Sequence, residues 1–168
     1  PEIDGGRFPA KAIVGEDYVI EADIFSDGHD VIDAAIEWRR RGDGDWQTAP
    51  MRFVDNDRWA GTILFTEIGS HEFTIIAWRD LFAGWRRDTE KKVAAGQDVS
   101  LEAVEGVHLV EAAAAQAVGG AHEQDLKKLS AALASANETM ARLTILLAPE
   151  TRTLMHRASP RTNLSRYM

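Results

Sequence analysis

No cysteine occurs among the 168 residues, which excludes a disulfide framework and any thiolate metal site. That fits a reducing compartment, and the cytoplasm is the expected location. Proline is scarce, five in all, so long segments can pair or coil without interruption. No apolar run approaches the roughly 20 residues needed to cross a bilayer, and no membrane partner is expected. Positive charge is also in short supply: 19 Lys and Arg stand against 27 Asp and Glu, for a net charge of −8. The one basic triplet, Arg39-Arg40-Arg41, follows Glu37 and Trp38 and is met by Asp43 and Asp45. It reads as a solvated strand end rather than a phosphate-binding stripe, so no nucleic acid is expected. An initiator Met and a signal-like segment are both missing, and the chain ends on the polar "RTNLSRYM", with no helix or strand expected to close it. These ends lead us to expect a piece of a longer protein.

The motifs of chemistry are missing too. His29, His71, His108, His122 and His156 stand singly, without the i, i+4 partner of a metal site. No G-x-S-x-G nucleophile turn is present, nor a glycine-rich loop between a strand and a helix that could cradle phosphate. The carboxylate pairs Asp43/Asp45 and Asp55/Asp57 fall in turn sequences, where Asp is favoured for its own backbone hydrogen bonds. The sequence therefore offers no catalytic residue, no metal ligands and no cofactor.

What is present is a change of period. Residues 10–92 read as strands. "DYVIEADIF" sets Tyr18, Ile20, Ala22 and Ile24 on one face. "AAIEWRR" sets Ala34, Ile36 and Trp38 together, "RWAGTILF" sets Trp59, Gly61, Ile63 and Phe65, and "EFTIIAW" sets Phe73, Ile75 and Ala77. Turn residues punctuate the runs at Asp27-Gly28, 42–45, 55–57 and 68–70. The expectation is an all-β immunoglobulin-like sandwich of about seven strands over residues 1–95, with "WRRD" at 85–88 in a strand.

After a hinge at 93–98 the period becomes helical. Asp98 is placed to cap a helix from Val99 that Gly119-Gly120 ends. "EQDLKKLSAALA" aligns Leu126, Leu129 and Leu133. Ser135 and Glu138 have the capping-box spacing ahead of a helix carrying Leu143, Leu146 and Leu147. Pro149 suits the first turn of one more helix, and Pro160 would stop it. A small all-α helical bundle is expected over 96–168. Its Ala-rich helices carry few large side chains, so Leu126, Leu129, Leu133, Leu143 and Leu146 are its packing or dimer candidates.

Five tryptophans are the remaining signal. Trp38 and Trp59 alternate with aliphatics and read as core. Trp46, Trp78 and Trp85 are candidates for glycan contact, because a pyranose face stacks on an indole.

Three ordered stretches carry a resemblance: "DGGRFPAKAIVGEDYVIEADIFSDGHDVIDAAI", "DRWAGTILFTEIGSHEFTIIAWRDLFAGWRRD" and "KKVAAGQDVSLEAVEGVHLVE". Together with the tail "RASPRTNLSRY", they resemble the N-terminal region of the α-1,4-glucan:maltose-1-phosphate maltosyltransferases, α-amylase-superfamily enzymes of bacterial glycogen synthesis. The resemblance implies a parent enzyme with a β-sandwich, a helical insert, a (β/α)8 barrel and a C-terminal β-domain. That parent transfers maltosyl from α-maltose 1-phosphate to the non-reducing end of α-1,4-glucans, with retention. It places the nucleophilic Asp and the acid/base Glu in the barrel, beyond Met168, so this chain is expected to be inactive alone. It also implies a homodimer, with the rest of the enzyme as partner and α-glucan or maltose 1-phosphate met through it. The alternative is an autonomous carbohydrate-binding or Ig-like interaction module.

Overall fold

The structure, a computed structural model, describes residues 7–167. The opening Pro1–Gly6 of the expected first domain, and Met168 at the end of the second, lie outside the described residues. The chain divides into two compact units: residues up to Arg79 together with the segment from Asn163, and residues Asp80–Thr162.

The first unit is an antiparallel sheet of six strands in the order β1-β4-β3-β2-β5-β6. Its strands are β1 (Asp17–Asp23), β2 (Ile32–Arg40), β3 (Gln47–Asp55), β4 (Arg58–Leu64), β5 (His71–Arg79) and β6 (Thr162–Arg166). The expected alternation sets the register: Ile20 lies opposite Gly61, and Ile36 opposite Ile75. β3 is shared lengthwise. Residues 47–50 pair with β2, and from Met51 onward the strand pairs with β4. The sheet turns over along β3, so that non-neighbouring strands meet. A methyl added to Gly61 on β4 would lie 2.6 Å from Ile36 Cδ1 on β2. Ile20, Ala34, Ile36, Met51, Trp59 and Ile63 fill the space enclosed, with Trp38 against them. Each fully buried aliphatic there contributes about 1.5–3 kcal/mol. The β3–β4 hairpin turns on Asn56 (φ 40°) and Asp57 (φ 66°), the left-handed pair that a two-residue hairpin requires.

Two stretches depart from the strand expectation. Residues 81–94, with "WRRD" inside them, are helix rather than strand: α1 (Leu81–Ala94). Asp80 caps it, its Oδ1 accepting from Ala83 N at 2.9 Å, and Phe82, Trp85 and Thr89 recur at helical spacing on the packed side. The period-two alternation of Trp85 and Arg87 was a coincidence over four residues. The polar tail, for which no element was expected, forms β6. β6 has one hydrogen-bonded neighbour and mostly exposed side chains, so it carries no apolar alternation. Tyr167 N donates to Ile75 O at 2.9 Å, and Thr74 Oγ1 donates to Tyr167 O at 2.6 Å.

The second unit adds α2 (Ser100–Gln116), α3 (Glu123–Ser135), α4 (Thr139–Leu146) and α5 (Pro149–Ala158) to α1. Asp98 serves the start of α2 from one residue further out than expected, accepting from Ser100 N at 3.0 Å and from Ser100 Oγ at 2.6 Å. Pro149 opens α5 as expected. The Ser135–Glu138 capping box does not form. Ser135 Oγ instead donates back to Ala131 O at 2.9 Å, and Arg142 Nε donates to Ala136 O at 2.8 Å. The loop between α3 and α4 is thereby satisfied without a reciprocal cap. Among the described residues no helix is long and apolar enough to cross a membrane.

Candidate functional site

The helical unit buries its leucines in itself. Leu126, Leu133 and Leu146 join Phe82, Val110, Ala113 and Met155 in one cluster, with Leu129 half-buried against it. Leu143 sits with Val99 and Ala103 in another. The packing-or-dimer candidates are thus all placed in or against the core of their own unit.

Trp85 is half-buried there as well. Its ring lies beside Phe82 at 5.2 Å between centroids, and its Nε1 donates to Glu102 O at 2.9 Å. A methyl on Gly106, in the middle of α2, would stand 2.4 Å from Trp85 Cζ2 and 2.8 Å from Leu146 Cδ1. Only a residue without Cβ lets α1 and α4 come this close to α2. The same α1–α2 contact carries an ion pair between Lys92 and the buried Glu102. The hydrogen bond from Lys92 holds the Glu102 carboxyl below its ordinary value, and its counterpart raises the Lys92 ammonium.

On the sheet unit, Trp78 is 9% exposed and clusters with Ala35 and Ile76 on the face of β2 and β5 turned away from Ile36 and Ile75. Trp46 differs from both: it precedes β3 and remains 36% exposed. The Arg39 guanidinium lies 4.3 Å from its ring centroid and that of Arg166 lies 5.9 Å away. Each arginine meets a carboxylate. Arg39 Nε donates to Glu72 Oε1 at 2.6 Å, and an Arg166 terminal nitrogen is 2.6 Å from Glu37 Oε2. Arg39 and Glu72 are direct cross-strand partners, as are Glu37 and Thr74, and β6 brings Arg166 to the same face. The result is an indole bordered by two guanidinium–carboxylate pairs, able to donate and accept hydrogen bonds beside an apolar ring. Of the three tryptophan candidates, Trp46 alone is in a polar, open setting. Sequence reasoning missed Arg39, Glu72, Glu37 and Arg166. The Arg39–Glu72 pair was readable once the β2–β5 register was known; Arg166 required β6.

Comparison with known proteins was decisive for the family. A family model described as "Alpha-1,4-glucan:maltose-1-phosphate maltosyltransferase, domain N/S" matches residues 1–168. A relative of Cereibacter sphaeroides, named alpha-1,4-glucan:maltose-1-phosphate maltosyltransferase, is 43% identical over 166 residues, covering 99% of this chain and 28% of that protein. One of the same name from Myxococcus xanthus is 42% identical over 156 residues, covering 89% of this chain and 24% of that protein. Another, from Pseudomonas aeruginosa, is 32% identical over 166 residues, covering 99% and 25%. The chain thus spans about a quarter of the length of the curated relatives it matches. With the whole of its length matched, the chain belongs to the family of the alpha-1,4-glucan:maltose-1-phosphate maltosyltransferases, as their domain N/S.

Proposed function

We propose that this chain is the accessory and dimerisation region of a retaining maltosyltransferase that moves maltosyl from α-maltose 1-phosphate to the non-reducing end of α-1,4-glucans. The observation that carries the reading is the match of domain N/S to residues 1–168, in relatives four times as long that bear the maltosyltransferase name. In this reading the turned-over sheet acts as an immunoglobulin-like sandwich. The helices form the insert through which two copies pair. The reacting carboxylates belong to the remainder of the parent enzyme. Leu101, Val104 and Met140, exposed on α2 and α4, give the helical unit an apolar surface beyond its own core, which supports pairing there.

The test has two parts. Purified chain incubated with maltose 1-phosphate and glycogen releases no phosphate above a mock preparation, whereas the longer protein does, and loses transfer when residues 1–168 are deleted. Sedimentation shows the chain as a dimer at micromolar concentration. Turnover by the chain alone, full transfer by the deleted protein, or a monomer throughout refutes the corresponding part.

A further inference from the structure

The polar face around Trp46 has a chemistry that narrows its ligand. Two cations, Arg39 and Arg166, are matched by two anions, Glu72 and Glu37. The patch is charge-balanced on a chain of net charge −8. A phosphate or nucleic acid needs uncompensated cations, and a cationic peptide needs uncompensated carboxylates. Neither finds them here. A hydroxyl-rich neutral molecule fits differently. Guanidinium N–H groups donate and carboxylate oxygens accept without either charge being displaced, while the C–H face of the ligand lies on the exposed part of the indole. The two arginines are held in place by their own carboxylates, and Arg39 also by the ring, so little ordering remains to oppose binding. Thr74, between Glu72 and Ile76 on β5, fastens β6 through Tyr167 O and so fixes Arg166 beside the ring.

We propose that the Trp46 face binds an uncharged oligosaccharide, one pyranose stacked on the indole and neighbouring hydroxyls bonded to Arg39, Glu72 and Arg166. This rests on the family reading for its choice of sugar, an α-1,4-glucan, and adds a binding surface that needs no catalytic residue. Trp78 and Trp85, packed within their units, take no part in it.

The probe is maltoheptaose, titrated into the 168-residue chain while the five tryptophan indole N–H signals are followed by NMR. The Trp46 signal should move to saturation and the signal of buried Trp59 should stay. Calorimetry should show Trp46→Ala weakening the affinity about tenfold or more, with Trp46→Phe keeping part of it. Glu72→Ala, which leaves Arg39 without its carboxylate, should weaken maltoheptaose and turn the patch toward anions. Unchanged melting of each variant confirms an intact fold, since Trp46 lies at the surface. The proposal is overturned if no indole signal moves, if Trp46→Ala binds as the unaltered chain does, or if inorganic phosphate moves the Trp46 signal as far as the sugar. Its failure is separable from that of the accessory role. A chain that ignores maltoheptaose, yet whose deletion abolishes transfer in the longer protein, refutes only the surface site. A chain that binds the sugar but is dispensable for transfer refutes only the role.

Discussion

The sheet unit and the helical unit solve one packing problem with different residues. The sheet fills its interior with branched and aromatic side chains drawn from alternate positions: Ile20, Ile36, Ile63 and Trp59. The helices combine a few leucines with alanines and a glycine, so that backbones approach and Trp85 wedges between them. Each unit has one glycine at its tightest contact, Gly61 against Ile36 and Gly106 against Trp85 and Leu146. A large side chain can shift by a rotamer, whereas a helix whose partners converge on one missing Cβ has little room to yield. The helical unit is therefore the more brittle of the two, although it carries more alanine and fewer large groups.

The largest test of that comparison is Leu146→Asp. It puts an unpaired charge at a site with 0% exposure, among Phe82, Val110 and Leu133. The expected cost is about 4–5 kcal/mol, read as loss of helical circular dichroism at temperatures where the unaltered chain is folded. A soluble variant with full helicity would mean that Leu146 is not where the unit is held together. Next is Gly106→Ala. Removing glycine from a helix interior normally helps, but here the new methyl meets ring and leucine atoms, and a net loss of about 1–3 kcal/mol is expected in chemical denaturation.

Gly61→Ala is the matched experiment on the sheet. Its nearest obstacle is the mobile end of Ile36, with Met51 Cγ and Pro50 O at 3.1 Å, so the expected loss is smaller, about 1 kcal/mol. If Gly61→Ala proves the costlier of the two, the ranking of the units is reversed. The smallest effect is that of pH. Glu102 titrates below its ordinary 4.5 because Lys92 donates to it. Its contribution is complete above that value and is lost as pH falls through the lowered one; the raised Lys92 contributes below its ordinary 10.5 and loses its part as pH rises through its folded value. Lys92→Met should flatten the acid limb by lowering helical stability in the neutral region while leaving the acid end little changed, with thermal melts at several pH values as the measurement.

The same contrast explains what was legible in the sequence. Alternation over seven or more residues, as in β1 and β4, has no helical reading, and the faces it assigns are the faces observed. Four residues are too few: "WRRD" alternates, yet Asp80, Phe82, Trp85 and Thr89 together spell an N-cap and a helix face, a longer and stronger signal. β6 had no signal at all, because its side chains are mostly exposed and it is held to β5 through backbone bonds, whereas β1, the other outermost strand, alternates around the buried Ile20. The Trp46 face was only half visible. The ring could be picked out by type, but two of its four charged neighbours come from strands 20 or more residues away whose pairing no local pattern encodes.

The bond between Thr74 and Tyr167 spans 93 positions of the chain, and this sets an order in time. At about 5–20 residues per second of synthesis, the edge of β5 waits on the order of ten seconds for β6. All five helices are made within that wait. Until β6 arrives, the backbone of β5 around Ile75 stays available to any extended strand nearby, including another nascent chain. β6, made after all five helices, is thus the strand that closes the window for mispairing, and a ribosome stalled before Thr162 leaves that window open.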